Sequence, residues 1–208
     1  MKLFLASSGD KTFHLLKEQV PNVGNKVVFV ANAADPYTID TFWIDWDRDK
    51  LKELGYELHE LDLRETTPEQ LKSTLEVNDI LHICGGSVYY ILALIREKQL
   101  AAVIVDAVQN ETIVYTGTSA GSIILSQNVK AFSYDEEEAE QIKKVPDHKG
   151  LGILNFGIVP HNNQTDFVRG HQKMVEEMPN DPTALFYIQD HQALWIDGEK
   201  MKLLESNL

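Results

Sequence analysis

Residues Ile113–Leu125 read IVYTGTSAGSIIL, and they are the clearest guide to the architecture of this chain. The first part is apolar and β-branched, which predicts a buried strand, and the last part predicts the start of a helix. Between them, Gly117–Gly121 has the spacing G-x-S-x-G, with Ser119 at its centre. A strand, a tight turn and a helix in this order are typical of α/β proteins with a nucleophile at the turn. A plain glycine-rich turn is the alternative interpretation of the same residues.

Short apolar segments alternate with helix-like segments on the N-terminal side of this turn. The strand candidates, each bounded by turn residues, are Leu3–Ala6, Val27–Ala31, Tyr56–Leu61, Ile80–Cys84 and Ile113–Thr116. The helix candidates between them are Phe42–Leu54, Val88–Glu97 and Ala101–Gln109. This alternation predicts a three-layer α/β fold, with a mostly parallel sheet and helices on both of its faces.

The C-terminal part of the chain has a different pattern. Its strand candidates are Gly157–Pro160, Leu185–Gln189 and Leu194–Ile196. Asp197-Gly198 then marks a turn into Met201–Leu204, which predicts a hairpin. We therefore expect the main sheet to carry a C-terminal antiparallel edge. Because no repeat or linker interrupts the pattern, we expect residues 1–208 to form a single α/β domain.

Composition and charge exclude several classes of protein. Hydrophobic residues make up 43% of the 208 residues and charged residues 25%, which is ordinary for a globular domain. No apolar segment approaches the length of a membrane span. The net charge of −13 argues against a nucleic-acid partner, which would require a basic surface. Cys84 is the only cysteine, so no internal disulfide can form, and we expect a cytoplasmic protein.

Ser119 is the candidate nucleophile. A serine on a strained turn at the end of a strand projects its hydroxyl from the edge of the sheet. The glycines on either side, Gly117 and Gly121, leave room for the crowded backbone. The helix that follows favours developing negative charge at its N-terminus. These features favour nucleophilic catalysis by Ser119 over a purely structural turn.

His161 is the candidate general base among seven histidines. It follows the strand candidate Gly157–Pro160, and we expect that strand to end at the sheet edge where Ser119 lies. His82 alternates within a buried strand and is more typical of a core histidine. His171 follows a glycine, and we expect it to be exposed. A serine nucleophile needs such a base within hydrogen-bonding distance.

Two acids are candidates for orienting His161. Asp190 follows the strand candidate Leu185–Gln189, so it also lies at a strand end. Asp135 is the rival because it is closer in sequence to Ser119. The residues alone leave this choice open, and either carboxylate could simply be solvated.

The oxyanion hole requires two converging N–H groups. One should come from Ala120, which follows the nucleophile, and the other from the glycine pair Gly85-Gly86, with Gly86 preferred. Cys84 ends an apolar strand, which favours a packing role over a reactive one. His161, Asp166 and His171 lack compact ligand spacing, so we expect no metal site.

Three motifs in order resemble the peptidase E family of serine peptidases, which includes aspartyl dipeptidase and cyanophycinase. The segment ICGGSVYYIL from Ile83 resembles the family's glycine pair entering a helix, and Gly117–Gly121 resembles its G-x-S-A-G turn. Val159-Pro160-His161 resembles its base segment, and Ile188-Gln189-Asp190 is similar, more weakly, to the segment that carries its third acid. The resemblance extends over nearly the whole chain.

The resemblance implies a fold like that of class I glutamine amidotransferases, with serine in place of the nucleophilic cysteine. It also implies a triad in the order serine, histidine, acid, which favours Asp190 over Asp135. Two positions depart from the family pattern. Ser87 stands where the family usually has asparagine, which bears on substrate contacts, and Asp190 stands where glutamate is common.

The expected function is hydrolysis of small peptides, similar to that of a dipeptidase, through an acyl-enzyme on Ser119 without a cofactor. The first alternative is an esterase of the α/β-hydrolase type, which would use an acid such as Asp135 between the serine and the histidine. The second alternative is a non-catalytic domain that retains the fold. The oligomeric state is not addressed by these residues.

Charge near the expected site bears on substrate preference. The segment Ser133–Glu138 is strongly acidic and would repel an anionic substrate side chain if it borders the site. Arg169 is a candidate substrate-binding residue because its positive charge, with that of Lys173 one turn further along, would instead attract an anionic side chain. We therefore expect a specificity other than strict cleavage after aspartate. The alternative is that the acidic segment faces solvent and has no influence.

Overall fold

The computed structural model describes residues 1–38, 40–133, 138–177 and 183–207. The strands are β1 (Lys2–Ala6), β2 (Lys26–Val30), β3 (Glu57–Glu60), β4 (Ile80–Ile83), β5 (Val114–Thr118), β6 (Phe156–Val159), β7 (Ala184–Tyr187), β8 (Gln192–Asp197) and β9 (Lys200–Glu205). The α-helices are α1 (Gly9–Gln19), α2 (Phe42–Glu53), α3 (Pro68–Glu76), α4 (Val88–Glu97), α5 (Ala101–Gln109), α6 (Ala120–Ile123), α7 (Ala139–Ile142) and α8 (Thr165–Glu177). Short 3-10 turns cover Asn32–Ala34, Leu63–Glu65 and Lys130–Phe132.

Seven strands form one sheet in the order β3-β2-β4-β5-β1-β8-β9. The first five strands of this order pair in parallel, whereas β8 pairs antiparallel with β1 and β9 antiparallel with β8. Gly198, with a φ of 60°, lies in the turn between β8 and β9. The predicted parallel sheet with a C-terminal antiparallel hairpin at its edge is therefore confirmed.

Alternate residues of the central strands enter two cores, one on each face of the sheet. Leu3 and Leu5 of β1 belong to one buried cluster, while Phe4 and Ala6 belong to the other. The first cluster is covered by α3, α4, α5 and α6, and the second by α1 and α2. This two-sided burial is typical of a doubly covered parallel sheet, and it confirms the predicted layers.

The strands β6 and β7 differ from the expected arrangement. They pair with each other in parallel as a separate two-stranded sheet, and they do not extend the main sheet. The reason is that β8 already occupies the free side of β1, so β6 finds its partner in β7. His161, two residues after the end of β6, therefore reaches the turn at the end of β5 from a second, smaller sheet.

The helix after the nucleophile turn is shorter than the sequence pattern suggested, since α6 ends at Ile123. The carbonyl of Ile124 accepts the N–H of Leu151, and that of Leu125 accepts the N–H groups of Ile153 and Leu154. These bonds divert the backbone from further helical turns. Within the described ranges, no helix combines the length and the apolar character needed to cross a bilayer.

Candidate active site

The nucleophile turn holds Ser119 in a strained backbone conformation. Its φ is 47° and its ψ is −111°, a region that residues with a side chain rarely adopt. Close packing keeps the turn in place: a Cβ on Gly117 would lie 2.4 Å from the carbonyl carbon of Gly121, and one on Gly121 would lie 2.0 Å from the oxygen of Ile83. Only glycine fits at both positions, which explains the G-x-S-x-G spacing around a partly exposed serine.

His161 lies directly beside this serine. The Ser119 hydroxyl donates to Nε2 of His161 at 3.0 Å. His161 follows β6 and also has a positive φ, of 59°. Its side chain is 17% exposed, so the imidazole is shielded from most of the solvent but not fully buried. The structure thus brings together the two residues that the sequence singled out as nucleophile and base.

Asp190 completes the hydrogen-bonded series. The Nδ1–H group of His161 donates to Oδ1 of Asp190 at 2.7 Å, which leaves Nε2 free to accept the serine proton. Burial of the carboxyl by itself would raise the Asp190 pKa, but hydrogen bonds from His161, Gln164 and Ser7 outweigh it and hold that pKa well below its usual range. Asp190 is therefore ionised at neutral pH and can hold the imidazole in place. The alternative acid, Asp135, lies outside the described residues.

Ser7 is a site residue that the sequence analysis missed. Its hydroxyl donates to Oδ1 of Asp190 at 2.9 Å and accepts the backbone N–H of His161 at 2.8 Å. It is 1% exposed and follows β1, whose carboxyl end lies beside that of β5. The available signal was its position at a strand end next to the nucleophile strand. Lys11 adds a cation 3.7 Å from the other oxygen of Asp190.

Two backbone N–H groups next to the serine are candidates for an oxyanion hole. Ala120 is the first residue of α6, so its N–H has no acceptor within the helix. Gly86 has a φ of 144°, and a Cβ there would lie 2.3 Å from the oxygen of Ala33. The neighbouring Gly85 lies beside the nucleophile, since a Cβ there would lie 3.1 Å from that of Ser119. The glycine pair therefore lets the backbone pass beside the serine.

Ser87 caps helix α4 in this structure. It is 3% exposed, its hydroxyl donates to Glu138 at 2.5 Å, and its oxygen accepts the N–H of Tyr90 at 3.0 Å. Glu138 also accepts the N–H of Val88 at 2.9 Å. A direct role of Ser87 in substrate binding would therefore require these bonds to be exchanged. Arg169 lies on α8 with an exposed side chain.

Two further histidines take contrasting positions. His82 is fully buried, with Nδ1 2.8 Å from the Thr116 hydroxyl and Nε2 3.3 Å from Asp47, in agreement with its interpretation as a core histidine. His171, expected to be exposed, is only partly so because it packs against Tyr187. Burial, together with the nearby His161, lowers the pKa of His171 to about 4.

One buried cluster has the residue types of a metal site. Side-chain ligand atoms of Asp47, His82 and Cys84 lie within 4.8 Å of one another. Both nitrogens of His82 and one oxygen of Asp47 are already engaged in hydrogen bonds. Burial also raises the pKa of the Cys84 thiol well above its usual value, which disfavours the thiolate that a metal would need. The hydrogen bonds account for this cluster without an ion.

The chain is similar over nearly its whole length to known peptidases. A family model for peptidase family S51 matches residues 3–204. An uncharacterized peptidase of Listeria monocytogenes is 26% identical over 199 residues, which cover 96% of each chain. An uncharacterized peptidase of Pasteurella multocida is 27% identical over 206 residues, which cover 99% of this chain and 98% of the relative.

Two solved structures share the fold. A Listeria monocytogenes protein solved as a candidate peptidase E has a TM-score of 0.85 and 25% identity, with 98% of each chain covered. A peptidase from an acI-B1 Actinobacterium has a TM-score of 0.73 and 19% identity, over 99% of this chain and 87% of the other, which supports the fold alone. With a serine, a histidine and an aspartate in hydrogen-bonded series and a family model that spans almost every residue, the chain belongs to peptidase family S51 and is a serine-type peptidase.

Proposed function

We propose that this peptidase hydrolyses small peptides, as a dipeptidase does, through an acyl-enzyme on Ser119. The observation that carries the proposal is the unbroken series from the Ser119 hydroxyl to His161 at 3.0 Å and from His161 to Asp190 at 2.7 Å. An activated serine needs a base in contact and a third group that orients the base. The resemblance to dipeptidases supports the substrate class.

The proposed reaction begins when the Ser119 oxygen attacks the scissile carbonyl carbon. His161 takes the serine proton on Nε2, and Asp190 stabilises the imidazolium that forms. The N–H groups of Gly86 and Ala120 stabilise the negative charge on the carbonyl oxygen. His161 then donates its proton to the leaving amine, the C–N bond breaks, and the acyl group remains on Ser119.

Deacylation repeats the same steps with water. His161 removes a proton from the attacking water, and the tetrahedral intermediate collapses with return of that proton to the Ser119 oxygen. The products are a carboxylic acid and a free, regenerated serine. The serine proton leaves with the amine and is replaced by a proton from water, with His161 carrying each in turn, so this route needs no cofactor.

A dipeptide library tests the proposal directly. Wild type and Ser119→Ala should be assayed in parallel, with Ser8→Ala as a matched control, because Ser8 is a neighbouring serine whose hydroxyl bonds only Asp10 in the described residues. We expect several dipeptides to be cleaved by the wild type and by Ser8→Ala, and none at a comparable rate by Ser119→Ala. Near wild-type turnover by Ser119→Ala would refute the proposal.

A further inference from the structure

One face of helix α2 contacts the glycine pair beside the nucleophile. Trp43 and Asp47 are four residues apart on α2, so they lie on the same face of the helix. The indole N–H of Trp43 donates to the carbonyl oxygen of Gly85 at 3.1 Å. Nothing in the sequence of α2 marks it as part of the site, because three strands, β3, β4 and β5, lie between this helix and Ser119 along the chain.

Asp47 reaches the same glycine from its other side. The N–H of Gly85 donates to the Thr118 hydroxyl at 3.1 Å, and that hydroxyl donates to Asp47 at 2.6 Å. Asp47 is 4% exposed and also lies 3.3 Å from Nε2 of His82. Since Thr118 immediately precedes Ser119, this bond ties the glycine pair to the nucleophile turn. Both backbone polar groups of Gly85 are thus held by side chains.

The orientation of the Gly85 carbonyl determines the direction of the next N–H. A trans peptide is planar, so the carbonyl of Gly85 and the N–H of Gly86 point in opposite directions. With the carbonyl directed at Trp43, the Gly86 N–H is directed away from α2. It meets no acceptor among the described residues, which leaves it available to a ligand. A glycine pair has little intrinsic preference among backbone conformations, so this direction needs external support.

We infer that Trp43 is a positioning residue for the oxyanion hole, which it orients through the carbonyl of Gly85. The inference rests on the proposed function, since it assigns the Gly86 N–H to the reaction. The indole bond prevents rotation of the Gly85–Gly86 peptide and keeps the N–H aimed where negative charge develops. Preorganised donors of this kind lose their effect when their direction is free to vary.

A competing explanation is that Trp43 contacts the substrate with its ring. It belongs to a group of aromatic side chains, since its ring lies 5.5 Å from that of Tyr37 and 5.5 Å from that of Phe42. Loss of a substrate contact should weaken binding, whereas loss of oxyanion positioning should slow the chemical step. The two roles therefore separate in kinetic constants.

The test replaces the indole donor and keeps an aromatic ring. Trp43→Phe is compared with Trp46→Phe, a control on the same helix whose indole is 49% exposed. Each protein is labelled with a fluorophosphonate over a range of concentrations. We expect Trp43→Phe to lower the maximal labelling rate about tenfold, a fraction of the 10²–10³ that a whole oxyanion donor contributes, with half-saturation within about twofold of wild type. Trp46→Phe should match the wild type.

A second measurement uses a boronic acid, which forms a tetrahedral adduct with an activated serine. Protection from labelling by phenylboronic acid should weaken about tenfold in Trp43→Phe and remain unchanged in Trp46→Phe. If Trp43→Phe unfolds, benzothienylalanine at position 43 keeps the bicyclic shape and replaces only the N–H, and the same losses are expected.

The outcomes separate this inference from the function on which it rests. A wild-type protein that does not react with the fluorophosphonate would refute the proposed function and the inference together. If the wild type reacts, but a folded Trp43→Phe keeps the wild-type labelling rate and the wild-type protection by the boronic acid, the inference alone is refuted. A raised half-saturation with an unchanged maximal rate would also refute it, in favour of a substrate contact.

Discussion

At the scale of single residues, the site combines strain with hydrogen bonds that hold it. Ser119 and His161 both have positive φ values, of 47° and 59°. Such conformations cost on the order of 1–3 kcal/mol each and persist where the surroundings fix them. Here the Ser119 N–H donates to the carbonyl of Ala6 at 3.1 Å, and the His161 N–H donates to Ser7 at 2.8 Å. The end of β1 therefore holds both members of the reacting pair.

Substitution of the proposed acid tests its role at this scale. Asp190→Asn should leave the fold intact and lower kcat by on the order of 10⁴, because an amide gives His161 the wrong hydrogen-bond partner. Asp135→Asn is the comparison variant and should cost much less. Steady-state kinetics on a cleaved dipeptide measure both. If Asp135→Asn has the larger effect, the acid is assigned wrongly and the α/β-hydrolase alternative gains support.

Candidate site residues could be predicted from the sequence only where neighbouring residues form a recognisable motif or strand end. The spacing around Ser119 and the strand end before His161 were sufficient to select two residues whose side chains the structure places 3.0 Å apart. The choice of Asp190 needed a resemblance, since two carboxylates satisfied the residue-level argument. Ser7 and Trp43 could not be found, because their roles depend on which strand ends and helix faces meet in the folded chain.

The lowered pKa of His171 should make the free energy of unfolding depend on pH. Its pKa in the folded protein is about 4, below the ordinary histidine value near 6.5, so the unfolded chain binds more protons between these limits. The folded state therefore loses stability as pH falls from about 6.5 towards 4. We expect His171→Gln to reduce this loss, measured by urea unfolding at about pH 7 and pH 4.5. His59→Gln, at an exposed position, is the control and should follow the wild type.

At the scale of elements, the alternation of strands and helices was predictable, but the helices α1, α3 and α8 were not among those predicted, and one strand pairing was not foreseen. The strands β1 to β5 and the hairpin of β8 and β9 follow from apolar runs and turn residues. The separate β6–β7 sheet does not, because an apolar run shows that a strand is buried and says nothing about its partner. The end of α6 at Ile123 likewise depends on a distant segment, which supplies the N–H groups that the Ile124 and Leu125 carbonyls accept.

Two glycine substitutions test how closely the elements pack around the turn. In Gly121→Ala, the new methyl group would lie 2.0 Å from the oxygen of Ile83 on β4, so α6 must move away from the sheet. We expect a loss of about 3 kcal/mol in the free energy of unfolding. Gly170→Ala on α8 is the matched control: nothing lies within 4 Å, and alanine should stabilise that helix by about 0.5–1 kcal/mol. Equal stabilities in urea unfolding would contradict the packing described for the turn.

At the scale of the whole molecule, net charge bears on substrate preference. The chain carries −13, and the buried carboxylate of Glu138 accepts hydrogen bonds from Ser87 and Val88, which follow the glycine pair. We predict a lower kcat/KM for dipeptides with aspartate at the first position than for matched lysine dipeptides, with alanine between them. The difference should shrink as salt rises, because exposed charges are screened beyond about 10 Å at moderate salt. A large preference for aspartate that persists at high salt would contradict this prediction and point to Arg169 or another cation.

The central claim is that His161 activates Ser119 as the nucleophile, and covalent labelling measures this most directly. The protein is treated with a fluorophosphonate, and the modified residue is located by tandem mass spectrometry. We predict a single adduct on Ser119 in the wild type, none in Ser119→Ala, and labelling slowed by at least about 10³ in His161→Gln, since the base acts as a unit with the serine. An adduct on any other residue, or labelling of His161→Gln at the wild-type rate, would contradict the claim.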